Sequence, residues 1–548
     1  MHRWARVLAA SAAVTMLATA CGGDDDDAGG GGGSATTTTA AGSTTSVAPG
    51  TQLPDDVCTA DRKGGQLTFG TAIPSQGLDP TVAQGSGVAG AVELTAIYDT
   101  LLRFDPATGD YEPHVAESVT PNADLTEWTV KLRDGITFGN GDPLTADAVK
   151  FSIERMKTAR VSSAGLAAEV SSVEVLDPLT AVLKLEAPSA QIPYLLAEDT
   201  GNITNPAVVE AKGDGFNLDP EGAGVGPYEV ERFAPGEEIL LRAKDDYWGG
   251  PVCIETLRFV YVQGAQATLD AFRNGELDMA FLREARIIAD AKAAGVEGFS
   301  NIAGAGTILL MNIAAGGGSG SALSDVRLRQ AVQYAIDTDV LNQRLDDGKG
   351  LPTSALIWKD SPIYPGVDGL PYDLDKAKQL VEEVKASGWD GTLSLVCGNT
   401  PQATEQVLTL TALLGAAGIT VEGENLPNNE VTARYTAPPY NYEMVCGGSS
   451  IFEESPLARL NAYEGGNPRN RTGLADAEMD AALAELRVAG TREEKKAALA
   501  KVQQRWNEVL PSAVLNASEE FIATKDTVRG LVYSRDTTPM FHQAYLES

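Results

Sequence analysis

Residues 132–156 read LRDGITFGNGDPLTADAVKFSIERM, and no other stretch constrains the fold as much. It passes from a strand end through a tight turn into a helix. Gly135, Gly139 and Gly141 supply turn conformations that a residue with a Cβ resists. Pro143 closes the loop. Thr145 stands where an N-cap hydroxyl belongs, and Asp147 falls in the first turn, where negative charge suits the helix dipole. Val149, Ile153 and Met156 recur at i, i+4 and i+7 as a buried stripe. Nothing in the segment is catalytic.

The N-terminus sets the compartment. Arg3 and Arg6 make a positive n-region, and residues 7–17 form an apolar run too short to span a bilayer. Ala18, Thr19 and Ala20 lead into Cys21, so residues 1–21 read as a signal peptide with a lipobox-like end and Cys21 as the lipidated residue. Residues 22–57 are rich in Gly, Thr and Asp and read as a disordered tether, with Asp24 to Asp27 as a solubilising patch rather than a metal site. No other run is long and apolar enough for a transmembrane helix.

Forty-two basic against 75 acidic residues leave a formal charge of −33, which argues against nucleic acid as a partner. Only His114 and His542 follow the tether, and the cysteine spacings fit no zinc motif, so neither a metal nor a cofactor is expected. Cys58, Cys253, Cys397 and Cys446 are an even set in an exported chain and read as two disulfides, with three connectivities open. The length beyond the tether calls for two or three domains.

Along that length, residues 64–70 read as a first strand, PSQGLDP (74–80) as a loop and residues 91–104 as a helix running into a strand. Turn signals and alternating strands follow. Residues 393–446 run strand, helix, strand, strand, an order that implies a parallel α/β unit. Long helices fill 475–509, and residues 512–523 are strand-like. His114 has no nucleophile near it in sequence and reads as structural.

These blocks, in this order, resemble the family 5 solute-binding proteins, the extracytoplasmic receptors of ABC importers. The similarity is carried by the 132–156 segment, the LDP loop, YDTLL at 98–102, PHVAES at 113–118, GVGPY at 224–228, DYWG at 246–249, NGELD at 274–278 and YAID at 334–337. It implies an α/β fold of two lobes of the periplasmic-binding-protein type, joined by two crossings, with a subdomain inserted in the first lobe. The expected divisions are lobe I at 58–305 with its insertion at about 96–214, lobe II at 306–510, and a return to lobe I at 511–548. Pairing within lobes then favours Cys58–Cys253 and Cys397–Cys446, the second joining two neighbouring strands.

The resemblance also implies the function: capture of a peptide or peptide-like solute between the lobes and delivery to a membrane permease, by a monomer anchored through lipid on the outer face of the cell membrane. No catalytic residue is needed. The implied ligand-lining set is Ser75, Gln76 and Leu78 in the first lobe, Asn312 near the hinge, Trp358 in a loop, and Gly447, Gly448, Ser449, Ser450, Phe452 and Glu453 after a strand whose carboxyl end should face the cleft. Peptide receptors of the family carry a Trp and then an Asp there, the Asp receiving the peptide ammonium. This chain has CGGSSIFEESP, with Glu453 or Glu454 as the available acids. Asn467, Arg469 and Asn470 are further polar candidates. Two rival readings are a tethered extracellular hydrolase and a sensor on the same fold. The hydrolase needs a nucleophile or paired carboxylates, and GGSGS at 317–321 does not complete a nucleophile elbow.

Overall fold

The segment that opened the sequence reading forms as expected, with two differences. In the computed structural model, helix Ala146–Lys157 buries Val149, Ile153 and Met156. Thr145 occupies the N-cap, but its hydroxyl makes no capping hydrogen bond. Gly135 and Gly141 have φ of +81° and +89°, as turn glycines should. Gly139 does not; it is small because a Cβ there would lie 2.8 Å from Glu229 Oε1 and 3.2 Å from the Gly222 Cα. The structure describes residues 57–547 apart from 72, 84–89, 160, 162–163, 315–320 and 437–439. Cys21, the acidic run at 24–27 and most of the GGSGS stretch lie outside the described residues.

Two long strands organise the rest. Gly298–Met311 and Ser512–Thr524 pair antiparallel along most of their length and stand in the middle of the large sheet. On one side the sheet continues through Met279–Leu282, Gln66–Thr71 and Thr256–Tyr261; on the other through Met444–Gly448, Thr392–Gly398 and Thr420–Leu426. The last three are mutually parallel and enclose helix Pro401–Ala416, the α/β unit read from the sequence.

The pairing of the long strands is interrupted between Ala303 and Ile308. Ala305 there has φ of +44° and is buried, between two glycines. A Cβ on Gly304 would strike the Leu356 carbonyl oxygen, and one on Gly306 would lie 2.6 Å from the Ser518 backbone nitrogen. Only small residues let the chain pass here, which makes this the hinge segment.

The buried apolar residues form separate clusters. One cluster draws on residues 305–515 around Trp506, Leu393, Leu395 and Met444. A second, around Phe69, Tyr98, Tyr228 and Leu257, also takes Ile522 and Phe541 from the C-terminal segment. A third, with Leu132, Ile153 and Leu183, belongs to the insertion, where a four-stranded antiparallel sheet packs against helix Ala146–Lys157. Cys58 and Cys253 are bonded, with Cα atoms 5.6 Å apart. So are Cys397 and Cys446, Cα atoms 4.9 Å apart, one step beyond the paired residues Val396 and Val445 of adjacent parallel strands. No described helix is long and apolar enough to cross a membrane.

Candidate functional site

Strand Met444–Gly448 runs antiparallel to the hinge strand, with Met444 opposite Met311 and Gly448 opposite Thr307. Its carboxyl end therefore emerges beside the hinge. The N–H groups of Ser449 and Ser450 both donate to the Ala305 carbonyl at 3.2 Å, and Gly304 and Ile451 exchange backbone hydrogen bonds of 2.8 and 2.7 Å. Ser450 takes φ of +55°, and its hydroxyl accepts a hydrogen bond from Arg283 of the first lobe at 3.2 Å. The loop after the strand is thus fastened to the crossing itself.

A cavity of about 250 Å³ opens over this strand end. Ile308, Leu310, Gly448 and Ser449 line it. Arg459, Arg469, Arg471 and Thr472 are its polar lining, with Tyr463 beside them. The loop that carries two of these arginines is built by asparagines. Asn470 Nδ2 donates to the Glu464 and Leu474 carbonyls at 3.0 and 2.7 Å, and its Oδ1 accepts from Thr472 Oγ1 and the Gly473 N–H, both at 3.0 Å. Asn467 Oδ1 accepts from the Arg469 N–H at 2.9 Å. The Arg471 guanidinium lies 4.8 Å from the Tyr435 ring centroid. Burial lowers the pKa of Arg469, and the like charges of Arg459 and Arg471 lower it further.

Opposite lies the insertion, which touches lobe II at several points. Ser455 Oγ donates to Gln191 Oε1 at 2.8 Å, and the Ala190 N–H donates to the Arg487 carbonyl at 2.9 Å. Arg487 pairs with Glu169 across the gap and with Glu464 at 2.9 Å. Tyr111 Oη donates to the Glu454 carbonyl at 2.8 Å. These contacts tie residues 111–191 to residues 454–487.

A buried polar cluster sits where insertion, lobe II and C-terminal segment meet. Arg535 donates to the Ala197 carbonyl at 2.8 Å and pairs with Asp536 at 2.8 Å and Asp199 at 3.4 Å. Burial opposes its charge, but Asp536 and Asp199 hold the guanidinium ionised. Burial pushes the Glu198 carboxyl up to about 8 against the pull of Arg535. Glu454 is also pushed well up by burial, and its Oε1 accepts the Asp536 N–H at 2.5 Å.

Several sequence-expected positions fall elsewhere. Leu78 is 0 % exposed inside the lobe I core, its carbonyl accepting from Tyr98 Oη at 2.8 Å, so it cannot touch a ligand. Asn312 is not near the hinge: it follows the far end of the strand, roughly 17 Å beyond Thr307 at ordinary strand rise, with Nδ2 donating to the Tyr442 carbonyl at 3.0 Å. The Glu453 carboxylate is tied to Arg492 and that of Glu454 is buried, so neither is presented to the cavity. Phe452 is buried, and Asn467 and Asn470 are scaffold residues. Ser75 lines a separate cavity of about 20 Å³ with Thr71 and Glu93, while the Gln76 side chain turns back to the Pro74 carbonyl at 3.2 Å. Trp358 is half-buried in the loop that packs on Gly304, its ring 5.6 Å from Lys359 Nζ. Gly447 and Ser450 flank the cavity through Leu310 and the hinge. Arg459 and Arg471 were missed; their signal was a knot of arginines between 459 and 471 in a strongly acidic chain. His114 bonds Asp99 at 3.0 Å, Tyr247 donates to the same carboxylate at 2.7 Å, and burial pushes the neighbouring His542 down to about 3. That network is structural.

The sequence model of the bacterial extracellular solute-binding proteins, family 5 middle, matches residues 110–470, well over half of the 548. The chain belongs to this family. As a family 5 protein it is a substrate-binding component of an ABC transporter, and the family's members are binding proteins, not enzymes. It is 26% identical over 444 residues to the Escherichia coli chain named "Probable D,D-dipeptide-binding periplasmic protein", covering 76% of this chain and 81% of the other. The fold matches the ABC transporter-associated periplasmic binding protein DppA of Helicobacter pylori, solved with the peptide STSA, at TM-score 0.73 and 20% identity, over 89% of this chain and 99% of that one. It matches the oligopeptide-binding protein AppA of Bacillus subtilis, solved with a nonapeptide, at TM-score 0.72 and 18% identity, over 89% and 100%.

Proposed function

We propose that this family 5 protein captures a short peptide-like solute in the cavity over Gly448 and Ser449 and presents the closed form to a membrane permease. The observation that supports the reading is the attachment of that cavity's loop to the hinge: a ligand seated on Ser449 bears on the Ala305 carbonyl, which accepts from the Ser449 and Ser450 N–H groups. Binding that favours the closed arrangement then shifts its population. The relatives' peptide ligands support the solute class, and the cavity's size supports a short one, since drug-sized pockets run roughly 300–1,000 Å³. The finer expectations belong to the same reading: residues 1–21 act as signal peptide, Cys21 carries lipid, residues 22–57 form the tether, and the chain works as a monomer without catalysis. Neither the hydrolase nor the sensor alternative has a specific observation in its favour.

Native mass spectrometry of the purified protein, followed by a thermal-shift screen over di- to pentapeptides, sugars, polyamines and metal chelates, tests this. A co-purified peptide, or peptides alone raising the melting temperature by several degrees, is the expected result. Response to sugars or chelates only, or to nothing, removes the peptide reading.

A further inference from the structure

Two acids from distant parts of the chain meet out of water. Glu454, in the loop that follows the strand end, is 3 % exposed, and Asp536, in the C-terminal segment, is 4 % exposed. The Asp536 N–H donates to Glu454 Oε1 at 2.5 Å, and a hydrogen bond also joins the two carboxyl groups. Two carboxylates in contact at a buried place do not both ionise, so a proton is held between them. Arg535 Nη1 stands on Asp536 Oδ2 at 2.8 Å, which leaves that proton on Glu454. Burial, and then the Asp536 charge, push the Glu454 carboxyl well up.

The turn that carries Asp536 is strained. Asp536 and Thr537 take φ of +47° and +62°, both buried, and Thr537 is β-branched. Two acids hold the turn in place: Glu454 accepts the Asp536 N–H, and Glu520 Oε2 accepts from Thr537 Oγ1 at 3.0 Å. Each neighbouring element adds its own charges. Glu198 and Asp199 follow helix Ile192–Leu196, and Asp199 pairs with Arg535 at 3.4 Å. Glu198 Oε1 has no hydrogen-bond partner among the described residues, and burial pushes that carboxyl up to about 8. Burial keeps Tyr111 and Tyr194 neutral. Lys495 Nζ donates to the Glu454 carbonyl at 3.2 Å. Glu520 lies 3.9 Å from Arg283 and feels the charge of Arg459.

We propose that the Glu454–Asp536 contact is a proton-held latch, which fastens the loop beside the cavity to the turn at 534–538 and loosens as pH rises, so that solute is retained less well in alkali than in acid. The solute consequence rests on the receptor reading above; the latch itself does not. With the contact broken and both acids in water, each titrates in the ordinary carboxyl range and the shared proton leaves. Forming the contact therefore takes up one proton above about pH 4.5. Its equilibrium weakens about tenfold per pH unit until the pair itself ionises.

The test is hydrogen–deuterium exchange of the purified protein at pH 5.5 and 7.5, with intrinsic exchange rates divided out. Glu454→Gln still accepts the Asp536 N–H and donates to the Asp536 carboxylate, but has no proton to lose. Over this window the protection of residues 534–538 should fall at least tenfold more in the wild type than in Glu454→Gln; any share from Glu198 is common to both. Asp536→Asn removes the like charge, suits the left-handed φ, and serves if Glu454→Gln fails to fold. No fall in the wild type, or equal falls in wild type and variants, overturns the latch. Isothermal titration calorimetry with Ala-Ala-Ala at the same two pH values reads the coupling. Its affinity should fall at least tenfold more in the wild type than in Glu454→Gln. A pH-dependent turn with a pH-independent affinity overturns the coupling and leaves the receptor standing. If neither Ala-Ala-Ala nor any other peptide binds, the receptor reading falls, and exchange still decides the latch.

Discussion

Glu93 offers a direct test of the burial physics. It lies in helix Ala91–Tyr98, is 2 % exposed, and its Oε2 has no hydrogen-bond partner among the described residues. The adjoining cavity of about 20 Å³, shared with Ser75, has room for about one water. Burial raises its pKa from 4.5 to about 7, against a smaller opposing hydrogen bond from its own backbone. The folded state therefore keeps this proton while the unfolded chain releases it near pH 4.5. Stability is complete below that pH and is lost as pH rises through 7. At 1.36 kcal/mol per pKa unit, the loss levels off at about 3 kcal/mol above pH 8. Glu93→Gln keeps the shape and removes the titration. Urea unfolding of both proteins from pH 4.5 to 8.5, followed by circular dichroism, should show the variant gaining about 3 kcal/mol on the wild type across that window. A constant offset at low pH reports only how well the amide fits. Parallel curves over the whole range would refute the argument, because they would mean that Glu93 is solvated or paired when ionised.

Three further outcomes are expected. The Cys58–Cys253 bridge closes a loop of 195 residues and Cys397–Cys446 one of 49; by loop-closure entropy, paired serine substitutions should cost about 5 and about 4 kcal/mol respectively, and urea midpoints under non-reducing conditions check the order. Ile153→Ala empties a fully buried site in the insertion core and should cost about 2–5 kcal/mol, with hydrogen-exchange protection falling in residues 101–225 before it falls in lobe II. Arg487→Gln removes the contact to Glu169 across the gap, and stopped-flow measurement should show faster ligand release, by about tenfold; an unchanged rate would place the closing contacts elsewhere.

The elements were legible because their signals are periodic. The stripe at 149, 153 and 156 and the strand–helix–strand order of 393–446 depend only on local spacing. The Cys397–Cys446 pair followed from the same order, since neighbouring parallel strands bring equivalent ends together. The site was less legible because its geometry is set at long range. Asn312 could be placed only with the antiparallel register of Met311 against Met444 in hand. Leu78 sits in a loop, and loops carry no period that separates a core face from a cleft face. Glu454 looks like part of a solvated acidic run, yet it is buried by a backbone N–H that arrives 82 residues later. Arg471 is aimed by hydrogen bonds from Asn470 to carbonyls on either side, which no hydrophobic pattern encodes.

Gly298–Met311 and Ser512–Thr524 form one hydrogen-bonded ribbon, interrupted between Ala303 and Ile308 where Gly304 and Gly306 stand. A joint of that kind behaves as a torsion spring. Bending it at one place is cheap, because few pairings are lost there; shearing the strands past each other would break every bond on both sides. Spin labels placed on the two sides of that interruption should report one distance that moves as a whole when solute is added. For a substrate-binding component of a transporter this has a mechanical consequence: a bend at that one place is the shape change the ribbon permits at least cost.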